Sequence, residues 1–228
     1  MKNQKSNFIK VVIILFFTQI LLGACNSPNE SETSEYDEFL NTDILKSFPT
    51  EDLSSEEIAG LIFMREEEKL ARDVYITLYN KWNAKVFNNI SKSEQKHTDA
   101  IKILLQKYDL EDPMTNEEFG KFQNEDLQNL FNNLIEDGNN SLSNALKVGA
   151  AIEEIDIIDL QKQIELTDNQ DIAFVYENLL RGSRNHLRAF VRNISMQGET
   201  YIPQYLSQET FESIINTPQE KGRGRKRK

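Results

Sequence analysis

A chain of 228 residues with 37 acidic against 26 basic side chains carries a formal net charge of −11, which argues against a nucleic-acid partner, since that role needs a basic surface. One cysteine in the whole chain excludes an intramolecular disulfide and, once that residue is committed to another role, leaves no thiolate nucleophile and no cysteine metal site. Nine glycines and five prolines interrupt the chain rarely, so helices are the expected element.

The first segment reads as an address. Lys2, Lys5 and Lys10 precede the apolar run Val11 to Leu22, too short to span a bilayer comfortably, and small residues lead up to Cys25. Residues 1–24 therefore look like a bacterial lipoprotein signal, with Cys25 lipidated as the first residue of an exported, membrane-anchored chain on the periplasmic or cell-surface face. An uncleaved anchor helix is the alternative. Residues 25–49 are polar and acidic, too poor in large apolar groups to fold, and read as a disordered tether. Residues 50–215 have the length of one ordinary domain. Residues 216–228 hold six of the 26 Lys and Arg residues and read as a disordered basic tail suited to anionic head groups.

Within the domain the apolar residues recur at three and four. A first long helix begins at a Ser54 or Ser55 cap, with Glu56 and Glu57 in its first turn, and runs to about Trp82. A second covers roughly Asn89 to Tyr108 and ends before Pro113. A short segment from Asn124 to Gly138 follows. The third long helix starts at a Ser141 cap and reaches Leu166, and the fourth runs from Asn169 to near Gly198. Four long helices and a short crossover helix predict an all-α four-helix bundle.

At about 100° per residue the wheels place ionisable groups inside the apolar stripes. Glu68 falls among Leu61, Met64, Ala71, Tyr75 and Trp82, with Glu67 about 100° away as a weaker candidate and Glu66 facing out. Glu94 and His97 share the stripe of Phe87, Ile90, Ile101 and Leu104. Glu153 centres the stripe of Leu146, Gly149, Ile157 and Leu160, with Asp156 at its edge and Glu154 in a solvated row. A second apolar strip on that helix, Val148, Ala151, Ile155 and Ile158, leaves open which face wins. His186 lies among Val175, Leu179, Gly182 and Phe190.

Inward Glu68, Glu94, His97, Glu153, Asp156 and His186 cannot stay buried without partners or a metal. Pairing with Arg65, Arg72 and Arg184 is one solution. A metal is the other, and carboxylates with imidazoles and no thiolate suit iron or manganese better than structural zinc. Four carboxylates would neutralise two bridged divalent ions, and Glu-x-x-His facing glutamates from neighbouring helices is the di-iron arrangement of ferritin-like bundles.

The stretches "MREEEKLARDVY", "NISKSEQKH", "ALKVGAAIEEIDIIDL" and "ENLLRGSRNHLRAF" resemble the ferritin-like family catalogued as domain of unknown function 2202. "EKLARDVY" also resembles the first helix of rubrerythrins, which would place an iron-binding glutamate on Glu68 and the second helix's Glu-x-x-His on Glu94 and His97. The fourth helix departs from that pattern: Ser183 stands where a second Glu-x-x-His would have its glutamate. Asp156 beside Glu153 is the candidate replacement.

The resemblance implies a ferritin-like bundle holding two iron ions, with manganese as the alternative, and an oxidoreductase of ferroxidase or peroxidase type. There is no Cys-x-x-Cys module, so electrons would come from an external donor. Tyr75, two turns from Glu68, would hydrogen-bond the site or carry a radical, or simply fill the core. The competing expectation is a metal-free helical binding module at the cell envelope, with Arg181, Arg184 and Arg188 gripping an acidic partner. Oligomers are compatible with either expectation.

Overall fold

The computed structural model describes residues 42–114 and 118–221; the signal segment with Cys25, most of the tether and the basic residues from 222 onward lie outside them. Every regular element among the described residues is helical. They are α1 (Thr42–Ser47), α2 (Ser55–Trp82), α3 (Lys85–Lys107), α4 (Glu125–Gly138), α5 (Leu142–Leu166), α6 (Gln170–Met196) and α7 (Gln208–Ile215). No helix among the described residues is long and apolar enough to cross a membrane.

The helix starts follow local chemistry. Ser54 and Glu57 close a capping box at α2, each satisfying the other's backbone N–H. Ser141 accepts from Asn144 N–H at α5, and Asn124 accepts from the first turn of α4. The α2–α3 turn needs only residues 83–84: Asn83 adopts φ +52° and sends its N–H back to the Tyr79 carbonyl, a left-handed cap that asparagine tolerates.

Short turns make α2–α3 and α5–α6 two antiparallel hairpins, and the long connection carrying α4 joins them. Glu57 at the start of α2 bonds Thr167 just beyond α5, and Lys107 at the end of α3 bonds Asp171 at the start of α6. Helix α2 therefore runs antiparallel to α5, and α3 to α6, so all four neighbouring pairs in the square are antiparallel. The outcome is the expected four-helix bundle with a crossover helix.

Leu61, Met64, Leu78, Ile101, Leu104, Ile157, Leu160, Val175 and Leu179 fill its axis with no exposed surface. At one level Tyr75, Phe87 and Phe190 meet as an aromatic trio with ring centroids 5.2–6.2 Å apart. Gly149 on α5 lets the Phe190 ring approach, since a β-carbon there would sit 2.4 Å from it. The second apolar strip of α5 is mostly covered as well, with Val148 and Ala151 buried and Ile158 exposed.

The short helices α1 and α7 add to the four long helices and the crossover helix that the sequence leads one to expect. Leu45 of α1 is fully buried, and Lys107 Nζ gathers the carbonyls of Leu45, Phe48 and Pro49. Helix α7 packs Phe211 and Ile214 against α6. Beyond it Glu220 pairs with Arg184 and Arg188.

Candidate metal centre

Next to the aromatic trio along the bundle axis, α2 contributes Glu68, α3 Glu94 and His97, α5 Glu153 and α6 His186. All five are buried: Glu68, Glu94 and Glu153 have no exposed surface, and the histidines very little. Glu94 sits at the middle. Its Oε2 lies 2.6 Å from His97 Nδ1 and its Oε1 lies 2.8 Å from His186 Nδ1. Glu68 Oε2 approaches His97 Nδ1 at 3.1 Å, and Glu153 Oε2 approaches His186 Nδ1 at 3.4 Å. Two triads result, Glu68–Glu94–His97 and Glu94–Glu153–His186, with ligand atoms within 4.8 Å of one another in each. They share Glu94, and the two imidazoles stack 5.5 Å apart.

The surroundings hold these side chains in place. Tyr75 donates its hydroxyl to Glu153 Oε1 at 2.6 Å, and Ser93 Oγ lies 3.1 Å from His186 Nε2. Gly182 on α6 leaves room for the His97 ring. Outer partners of this kind fix ligand orientation.

Burial alone would discharge the carboxyls. It pushes Glu68 up to about 7, against the pull of His97, and it also raises Glu153. Glu94 is the exception: burial opposes its charge, but His186 and His97 flank it and hold it well below the usual carboxylate range. Burial likewise opposes the imidazolium form, yet Glu94 and Glu68 lift His97 to about 9, and Glu94 and Glu153 lift His186 well above its ordinary value.

His97 Nδ1 and Glu68 Oε2 are hydrogen-bonded at 3.1 Å, but the other close carboxylate–imidazole contacts of the centre are not hydrogen bonds. Glu94 Oε1 and Oε2, Glu153 Oε2 and His186 Nδ1 are buried, and none satisfies hydrogen-bond geometry; Glu68 Oε1 is also unbonded. Buried donor atoms gathered within 4.8 Å of one another, several of them unbonded, form an arrangement that a bound cation would satisfy. The donor set of three carboxylates and two imidazoles fits a pair of hard or borderline divalent ions.

Five of the six expected ligands thus come together. Asp156 stands beside them: it is buried, its Oδ2 is unbonded, and its strongest electrostatic neighbours are Glu67 and Glu68, but its oxygens join neither triad. Ser183 turns its hydroxyl to the Leu179 carbonyl and leaves His186 as the candidate ligand that the fourth helix offers. The arginines are engaged elsewhere. Arg65 donates to Asp112 and Thr98, Arg72 to Asp73 and Gln95, and Arg184 to Glu220.

Two expectations are corrected. Glu66 does not face out: it is 3% exposed and accepts the N–H groups of Gln123 and Asn124 ahead of α4. Glu154 is not solvated: it has no exposed surface and accepts from the Tyr201 hydroxyl and the N–H groups of Gln204, Tyr205 and Leu206. Both acids cap loops that cover the outer faces of their helices. The buried acid on α2 next to Glu68 is Glu67, and its partner Asp159 had no sequence signal beyond lying three residues after Asp156.

Residues 57–218 match the family model described as an uncharacterized protein domain, DUF2202. The chain is 55% identical over 181 residues to the uncharacterized protein MJ0754 of Methanocaldococcus jannaschii, a match spanning 79% of this chain and 98% of that protein. It is also similar to the crystal structure of the hypothetical protein MJ0754 from Methanococcus jannaschii DSM 2661. That likeness has a TM-score of 0.75 and 56% identity, and covers 76% of this chain and 99% of the other.

Proposed function

The chain belongs to the DUF2202 family, and we propose that it is a ferritin-like di-metal protein, an oxidoreductase acting on iron with oxygen or a peroxide, tethered to a membrane through lipidated Cys25. The observation that carries the reading is Glu94: one carboxylate offers one oxygen to each of two histidines, both oxygens are buried, and neither is hydrogen-bonded. A carboxylate so placed would serve both ligand sets of a di-metal centre.

In this reading Glu68, Glu94, His97, Glu153 and His186 would hold the two ions, with Glu94 belonging to both sets of ligands. Iron or manganese bound there supplies redox equivalents and Lewis acidity for dioxygen or peroxide. The chain's own contribution is orientation and exclusion. Tyr75 fixes Glu153 by one oxygen and leaves the other free to ligate. The trio of Tyr75, Phe87 and Phe190 keeps water from one side. With no cysteine cluster in the chain, electrons come from an external donor.

The deciding measurement is metal per chain by elemental analysis on protein purified without chelator, beside Glu94→Ala. About two iron or manganese ions, lost in the variant, support the reading. An absence of metal after anaerobic loading with Fe(II) rejects it.

A further inference from the structure

Away from the aromatic trio, a second set of acids leads from the centre towards the outside of the bundle. On α5 Glu153, Asp156 and Asp159 follow at three-residue spacing, which puts them one turn apart on one face. Glu68 and Glu67 face them from α2. Burial opposes the charge of Glu67 first, then Asp159, which is within hydrogen-bond reach of it, and then the charge of Glu68. Burial opposes the charge of Asp156, and the charges of Glu67, Glu68 and Glu153 oppose it further. Exposure is graded along the set: Asp159 is partly exposed, Glu67 is 3% exposed and Asp156 is 1% exposed.

The two inner acids are not structural in the way of Glu66 or Glu154, which saturate backbone N–H groups. Glu67 Oε2 and Asp156 Oδ2 are fully buried and bond nothing, and the groups acting most strongly on both are other carboxylates. Unpaired carboxyl oxygens at this depth are satisfied by a proton or by a cation, and a cation can take the proton's place. They do not build a third resident site, however. Among the described residues, groups of three ligand atoms within 4.8 Å occur only around Glu94. One or two oxygens at each step bind a cation weakly enough to release it inward, which is the requirement for conduction.

We propose that Asp159, Glu67 and Asp156 form the path by which a divalent cation reaches the centre, Asp159 receiving it from solvent and Glu67 and Asp156 passing it to Glu68. The proposal rests on reading the Glu94 triads as a metal centre. It also gives the asymmetry of the bundle a purpose: aromatic rings close one side of the centre and acids line the other.

The test is the rate of Co(II) uptake by the purified metal-free full chain, followed by the cobalt absorption in stopped flow, for the parent, Asp159→Asn, Asp159→Lys and Glu67→Gln. Asp159 is partly exposed, so its variants fold; melting curves check Glu67→Gln. The expected result is uptake slowed about tenfold or more in Asp159→Asn, further in Asp159→Lys, with a flatter dependence on ionic strength, as for loss of electrostatic steering. Final stoichiometry and the cobalt spectrum stay those of the parent. Uptake by the Asp159 variants within about twofold of the parent, well short of the slowing that lost steering produces, overturns the path and leaves the centre standing. So does a changed spectrum or a lost ion, which would make these acids resident ligands. A parent that takes up no cobalt removes the centre, and the path with it.

Discussion

Gly182 and the His97 imidazole fill one space from two different helices: a β-carbon built on Gly182 would lie 2.7 Å from both Cε1 and Nε2 of the ring. The ring cannot retreat freely, because its other nitrogen is held against Glu94 and Glu68. Gly182→Ala should therefore displace His97 from the centre. Overpacking of this kind costs about 1–3 kcal/mol, so the bundle should still form. Elemental analysis beside a melting curve checks the split, and a variant that keeps two ions at parental affinity would show that His97 is not a ligand.

Tyr75→Phe keeps the aromatic trio and removes only the hydroxyl that Glu153 Oε1 accepts. Loss of an outer-shell partner typically weakens metal binding about 10–100-fold. Leaving the buried oxygen without a donor costs about 1–3 kcal/mol of metal-free stability. Competition against a chelator of known affinity measures the first effect and thermal unfolding of the apo-protein the second. Unchanged affinity would mean that Tyr75 is core and nothing more.

Glu57 makes a pH prediction away from the centre. Burial opposes its charge, but Thr167, Ser54 and Asn169 donate to the carboxylate and hold it at about 2, below its ordinary 4.5. A depressed acid stabilises the fold above its unfolded value and loses that contribution as pH falls through the folded one. With the carboxyl held at about 2 instead of 4.5 and its interactions partly screened by solvent, the contribution is on the order of 1–2 kcal/mol, lost between about pH 4.5 and 2. Glu57→Gln should be less stable than the parent at pH 7 and close to it at pH 2. Urea midpoints at the two values decide. Equal gaps at both would show that the effect is packing rather than charge.

The sequence made the centre legible because Glu68, Glu94, His97, Glu153 and His186 each interrupt an apolar stripe, and a wheel detects such an interruption. Glu66 and Glu154 escaped because a wheel reports which face meets another helix, not which face a loop covers. Their partners, residues 123–124 and 201–206, have no period to read. Asp156 was placed on the correct helix face, but one turn along the axis decides between ligating and standing beside, and angle alone is blind to that. The helix α1, at six residues, is too short to be stable by itself; the burial of Leu45 against the bundle holds it.

The neighbours Glu153 and Glu154 separate function from fold most sharply, because both are buried completely and differ only in what they meet. Glu153 uses one oxygen to accept from Tyr75 and leaves the other unbonded beside His186. In Glu153→Gln the amide oxygen can still accept from Tyr75, and the amide nitrogen occupies the ligand position without closing a metal bond. Metal should be lost and the apo-fold kept. Glu154 has no oxygen to spare: Oε1 accepts from Tyr201 and Gln204, and Oε2 from Gln204, Tyr205 and Leu206. An amide nitrogen at either place points a donor at donors, and unsatisfied buried groups cost about 1–3 kcal/mol each. Glu154→Gln should keep its metal, lower the melting temperature by about 4–8 °C for a cost of about 2 kcal/mol, and expose residues 201–206 to limited proteolysis. If the two variants exchanged these behaviours, Glu154 would be the ligand and the assignment on α5 would be one residue out of register.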